Sequence, residues 1–218
     1  LMQPRIVLIH ALSESGPAIA KAFADGWPDV RLVNLLDDSL SVDRREEGEL
    51  TEKMVDRFQT LTDYAVRSGA DAILFTCSAF HEAIYKARAD LEIPVLTPDE
   101  AMMEQALAHG TRITMMATFE PTLATATAAM NKIAADAGKS VEVNAVHVPG
   151  ALEALQGGDA ATHDQRIVDC AANLPASDVI LLAQFSMAHT VDAVRGAVSC
   201  PVLTSPVTSV AKLKGLLS

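Results

Sequence analysis

Apolar and polar positions along this chain come in two kinds of block. Short apolar, β-branched runs give way to longer segments whose apolar residues recur every three or four positions. The first pattern suits a strand covered on both faces, the second an amphipathic helix. RIVLIHAL (Arg5 to Leu12) predicts a first strand. SGPAIAKAFADG predicts a helix, with Ser15 as N-cap and Pro17 in its first turn. VRLVNLL predicts a second strand. DDSLSVDRREEGEL reads as a polar loop, and a long helix then runs to about Ser68, where Gly69 stops it. DAILFT predicts a third strand, SAFHEAIYKARADL a helix and PVLT a short fourth strand. PDEAMMEQALAHG, with Pro98 near its start and Gly110 past its end, closes the series as a helix.

The order then starts again. RITMMAT, VEVNAVHV, DVILLA and a second PVLT predict strands. EPTLATATAAMNKIAADAG, DAATHDQRIVDCAANL, MAHTVDAVRGAV and PVTSVAKLKGLL predict helices. Such alternation argues for parallel sheets covered by helices. The second half also repeats the first in register. Arg5-Ile6 matches Arg112-Ile113, Asp71 matches Asp178, and PVLT at Pro94 matches PVLT at Pro201, each pair 107 positions apart. This period is too long for a solenoid repeat. The expectation is an α/β protein of two pseudo-symmetric lobes, 1–110 and 111–218, whose terminal segments are free to exchange. Each lobe is a roughly four-stranded parallel sheet flanked by helices, with the active site in the cleft between them.

Composition narrows the field. The 218 residues carry a formal charge of −11, which disfavours nucleic acid and anionic membrane surfaces as partners. Aromatic residues make up 4%, too few for base-stacking platforms. Cys77, Cys170 and Cys200 form neither a disulfide framework nor a metal-ligand spacing, and suit a reducing, cytoplasmic setting. No apolar run reaches transmembrane length, and LMQPRIVLIHAL lacks the features of a signal peptide. The glycines form no dinucleotide or phosphate-binding loop. No metal site is expected. Cys170 and Cys200 read as core filler.

One corner is written twice. DAILFTCSAF ends a strand with Cys77, and DVILLAQFSM puts Gln184 at the same register. Ligands of open parallel sheets bind beyond the carboxyl ends of the strands. Two such corners, facing each other about a pseudo-twofold axis, would share one ligand. A helix N-terminus would lower the thiol pKa of Cys77, suiting it to proton transfer near neutrality. The N–H groups of Ser78 and Ala79 would hold a carboxylate or enediolate oxygen.

The pseudo-repeat, LFTCSAF, its echo LLAQFSMA and the MMATFEPTL turn resemble the aspartate/glutamate racemase superfamily. That group includes hydantoin and allantoin racemases, maleate isomerase and arylmalonate decarboxylase. The resemblance spans essentially the whole chain. It implies a cofactor-independent isomerase acting next to a carboxylate or carbonyl, on a small anionic carboxylate or hydantoin-like substrate. Family members are often dimers or larger, which leaves a homo-oligomer open here without fixing the oligomeric state. Cys77 matches the first catalytic cysteine, and Ser78 and Ala79 the carboxylate-holding residues after it. Ser13 and Ser15 lie on the substrate-binding turn of the first half, Thr118 and Thr122 on that of the second. Gln184, Phe185 and Ser186 form the second corner.

Gln184 departs from the two-thiol pattern, because an amide cannot act as acid or base near neutrality. Three readings follow. His10, Glu120 or His189 serves the second face; or one thiol protonates one face only, as in a decarboxylase of malonate-like acids; or the cleft binds a metabolite without turnover. His81, one helical turn after Cys77, is expected on an exposed helix face. His109, His147 and His163 have no evident partner, and Glu14 reads as a solvated loop carboxylate. The run DRREEGE reads as a solvated loop, with a role as part of a lid the alternative.

Overall fold

The computed structural model describes residues 3–218; the first two residues of the N-terminal stretch lie outside it. In the first half the chain forms β1 (Arg5–His10), α1 (Gly16–Gly26), β2 (Arg31–Leu36), α2 (Ser39–Glu47), α3 (Glu52–Arg67), β3 (Ala72–Phe75), α4 (His81–Arg88), β4 (Val95–Leu96) and α5 (Glu100–Ala106). The second half adds β5 (Arg112–Ala117), α6 (Pro121–Asp136), β6 (Glu142–His147), α7 (Ala151–Gln156), α8 (Ala160–Ala172), β7 (Val179–Leu182), α9 (Val191–Ala197), β8 (Val202–Thr204) and α10 (Ser205–Leu216). The strands make two four-stranded sheets, β2-β1-β3-β4 and β6-β5-β7-β8, whose pairings are all parallel. The fold is α/β with two lobes, as the pattern predicts.

Burial follows position in the sheet. β3 and β7 are central and buried at every residue, whereas the edge strands β2 and β6 show mixed exposure. On one face of the first sheet, Val7, Ile9, Ile73 and Phe75 pack against α2, α3 and α4 through Leu40, Met54, Phe58 and Ile84. The α3 residues Met54, Phe58 and Ala65 recur at helical spacing, and Thr51 caps that helix by accepting from the N–H of Met54.

The opposite faces exchange helices. Ile6 and Leu8 of the first sheet pack with Ile19 and Phe23 of α1, and with Val210 and Leu213 of α10 from the far end of the chain. Ile113 and Met115 of the second sheet pack with Ala126 and Met130 of α6, and with Met102, Met103 and Ala106 of α5 from the first half. Each terminal helix therefore completes the other lobe's core. The hydroxyl of Ser209 donates to the carbonyl of Pro98 at 3.0 Å, joining the two crossing segments.

Two sequence expectations need correction, and the repeat has a limit. The polar stretch after β2 is not a loop: Ser39–Glu47 is helical and ends at Gly48 in the left-handed region (φ 74°). A short helix, α7, precedes α8 where none is expected. The 107-residue offset holds at β1/β5, β3/β7 and β4/β8, but β2 and β6 begin at Arg31 and Glu142, 111 apart. α6 is longer than α1 (16 residues against 11), and the connection from β6 to β7 is correspondingly shorter. Among the described residues no helix is long and apolar enough to cross a membrane.

Candidate active site

Both corners lie at the carboxyl edges of their sheets. After β3 the chain reaches Cys77 in extended conformation (φ −122°, ψ 120°) and enters a 3-10 turn, Ser78–Phe80. After β7 it reaches Gln184 in the same conformation (φ −143°, ψ 143°) and enters a 3-10 turn, Phe185–Thr190. Aromatic residues fix each turn. The Phe80 ring lies 4.8 Å from that of Phe58, and Phe185 is buried among Ile6, Leu8 and Phe23 of the first lobe.

The corners meet across the lobes. The Ser78 hydroxyl donates to the carbonyl of Ala183, next to Gln184, at 2.8 Å. The Thr125 hydroxyl of α6 donates to the Ser78 carbonyl at 2.5 Å. The turn after Cys77 packs on α6, and the turn after Gln184 packs on α1. The turns that follow Cys77 and Gln184 are thus joined across the two lobes.

Cys77 is buried, and burial pushes its thiol up to about 12. The N–H of Ala79, bonded to the sulfur, opposes this; the charge of Asp99 adds to it, and Arg44 draws it back down. The thiol is therefore raised, where the sequence reading expects it lowered. α4 begins only at His81, behind the 3-10 turn, and a helix-terminal field falls off within about a turn, so desolvation prevails. Ser78 spends its hydroxyl on the opposite corner.

Gln184 is 5% exposed, and its carbonyl oxygen fills the turn after β5. It accepts from the N–H of Thr118 at 2.5 Å, the N–H of Phe119 at 3.0 Å and the hydroxyl of Thr118 at 3.1 Å. The amide oxygen occupies a cradle of converging donors, so the second corner is held by its own side chain. Thr122 and Ser186 are buried with hydroxyls that find no partner among the described residues. Ser15 is buried and makes no capping bond; Ser13 is exposed beside Glu14.

The sequence reading missed Arg44. It lies on α2, 6% exposed, and its Nε and Nη1 have no hydrogen-bond partner among the described residues. Its charge acts on Cys77, and it lines a cavity of about 410 Å³ with Thr118, Phe119, Glu120, His147 and Leu152. Arg45 rests over the Phe119 ring, 5.3 Å from its centroid, and ties α2 to the second lobe. Arg44, Arg45 and Gly48 of the charged run thus line this cavity. A larger depression, at Arg5, Arg31 and Asp71, lies at the amino ends of the first sheet's strands and away from both corners.

Of the three proposed second acid–base groups, Glu120 lines the cleft cavity. His10 is engaged at both ring nitrogens, by the Thr76 hydroxyl at 2.7 Å and the Asn34 amide oxygen at 2.9 Å, and burial lowers its pKa. His189 is committed to Asp164 at 2.7 Å. Neither histidine lines that cavity. His81 is buried rather than exposed, with Nε2 2.6 Å from Asp99 Oδ1, because α4 turns that face toward α5.

A family model described as Asp/Glu/hydantoin racemase matches residues 17–214. Among solved structures, glutamate racemase isoform RacE1 from Bacillus anthracis superposes with a TM-score of 0.77 at 13% identity, over 100% of this chain and 82% of that one. Allantoin racemase from Klebsiella pneumoniae gives 0.70 at 17%, over 99% and 88%. Aspartate racemase from Picrophilus torridus gives 0.67 at 15%, over 97% and 94%. No curated protein sequence matches the chain.

Proposed function

Since the chain belongs to the Asp/Glu/hydantoin racemase family, we propose that it is a cofactor-independent isomerase that moves a proton at a carbon next to a carboxylate or carbonyl, with Cys77 as its single thiol acid/base. The observation that carries this reading is the buried Cys77 corner facing the Gln184 corner, with the unpaired Arg44 guanidinium beside the thiol. Arg44 supplies the positive charge that an anionic substrate requires, and burial makes such an ion pair strong once formed. Cys77 serves one face of the carbanion. Gln184, locked by Thr118 and Phe119, orients the substrate and does not titrate. Glu120 is the group placed to exchange the proton on the second face. Thr122 and Ser186 offer hydroxyls to the ligand.

One observation favours a second reading. A thiol held protonated by burial is ready to donate rather than to abstract. That suits decarboxylation of a malonate-like acid, where loss of CO2 creates the carbanion and Cys77 protonates it.

Proton NMR in D2O decides between them, with amino acids, hydantoins, maleate and substituted malonates as the panel and Cys77→Ala as the control. Deuterium at an α-carbon without loss of CO2, dependent on Cys77, is the expected result. Deuterium in a product one carboxylate shorter would establish the decarboxylase. Exchange that persists in Cys77→Ala would overturn both.

A further inference from the structure

A second chemical cluster stands on the second lobe, and none of its residues lines the cleft cavity. His163 and Asp164 lie on α8, and His189 lies on the 3-10 turn that follows Gln184. We propose that these three side chains bind a borderline divalent cation, Zn²⁺ foremost.

Their ligand atoms all lie within 4.8 Å of one another. His163 Nδ1 and His189 Nε2 each sit 2.7 Å from the same oxygen, Asp164 Oδ1. Two imidazoles and one carboxylate make a donor set suited to zinc, and the carboxylate supplies the charge that neutral imidazoles lack. Tetrahedral bonds of about 2.0–2.1 Å place donors roughly 3.3 Å apart, so these atoms must separate by about 0.6 Å on binding. The exposed members can move: the side chains of Asp164 and His189 are 39% and 50% exposed. The third is fixed, because His163 is fully buried and its ring stacks on that of His189, centroids 5.7 Å apart and planes 19° apart. His163 Nε2 has no protein partner, so burial and stacking set the ring's orientation.

Three protein ligands leave a fourth position for water on the exposed side. A cation there would pin α8 to the turn that carries the second corner. The two histidines are 26 positions apart and their pairing is purely tertiary, which is why no ligand spacing shows in the sequence.

The test is calorimetric titration of the chelator-stripped protein with ZnCl2 at pH 7.5, with Co²⁺ absorption as a readout of coordination geometry. Wild type is expected to bind one ion saturably, with a tetrahedral cobalt spectrum and a raised melting temperature. His189→Ala and Asp164→Asn, both at exposed positions, should weaken binding by more than about tenfold, whereas His109→Ala should not. Absence of saturable binding in wild type would overturn the proposal. So would binding that survives both variants unchanged, which would mark adventitious surface sites.

Discussion

Replacing Arg44 by methionine should make the ligand-free protein more stable and its cleft less able to hold an anion. The residue is 6% exposed, and its Nε and Nη1 have no hydrogen-bond partner among the described residues. Glu49 acts on the guanidinium only through its charge; burial of a charge without a hydrogen-bonded partner costs several kcal/mol, and well-packed apolar replacements of buried ionic groups are often stabilising by roughly 1–4 kcal/mol. Methionine keeps most of the aliphatic stem's packing. A gain of about 1–3 kcal/mol is expected, and at about 2–4 °C per kcal/mol for a chain of this length the melting temperature should rise by about 2–12 °C. Binding should move the other way. Loss of one member of a buried ion pair typically costs about 2–5 kcal/mol, a Kd weakened at least roughly 30-fold. Thermal denaturation without ligand and calorimetric titration with malonate, maleate and amino dicarboxylates measure the two effects. Arg44→Lys keeps the charge without the planar fork and should fall between. A variant that melts lower and binds anions as wild type does would refute the reasoning, because Arg44 would then be a structural residue.

Gln184→Ala should cost about 2–5 kcal/mol in urea denaturation, since it leaves the N–H groups of Thr118 and Phe119 without an acceptor; Gln184→Glu should largely restore it, and a loss under about 1 kcal/mol in the alanine variant would show that water replaces the amide. Cys77 ionises at a higher pH folded than unfolded, so the stability it contributes is whole below about pH 9 and declines as pH rises toward about 12. Wild type should accordingly lose up to about 1.4 kcal/mol per pH unit more than Cys77→Ala across that window, and parallel pH profiles would contradict the burial argument. Alkylation of Cys77 by iodoacetamide at pH 8 should be much slower than that of Cys170 or Cys200, which are only partly buried. Gly110→Ala should lower the melting temperature, because at φ 154° its Cβ would collide with the Asp178 carboxylate that accepts from Thr111 and Arg112; an unchanged midpoint would mean that this turn relaxes freely.

The strands and the two-lobe plan were legible because they rest on local signals: continuous apolar runs, a constant offset at three strand pairs, and proline and glycine at helix ends. The second strand pair, VRLVNLL and VEVNAVHV, is legible too but falls outside the constant offset. Edge strands such as Arg31–Leu36 and Glu142–His147 carry little patterning, and their spacing shifts with helix length. The Cys77 corner was visible as a strand end followed by a small-residue turn. Arg44 was not, because its neighbours Asp43, Arg45, Glu46 and Glu47 give the look of a solvated run. Its burial comes from the second lobe, against which Arg45 and Phe119 hold the helix. His10 misled for a related reason. Its place near the end of β1 is what the sequence implies, yet Thr76 on the chain beyond β3 and Asn34 on β2 take both its nitrogens. Which groups a polar side chain meets across a sheet is a tertiary fact with no local signature.

The helices α5 and α10 each close the core of the lobe to which they do not belong. A half-length chain ending at α5 would leave Ile6 and Leu8 covered by α1 alone and its own methionines without a sheet. Such a chain would be driven to associate with a second copy, each lending its last helix to the other, as in a domain-swapped homodimer. Two identical copies would also present identical corners, thiol facing thiol or amide facing amide. Fusion into one polypeptide lifts that constraint. A single chain can place Cys77 on one side of a ligand and Gln184 on the other, and so give the two faces of one carbon atom different chemistry.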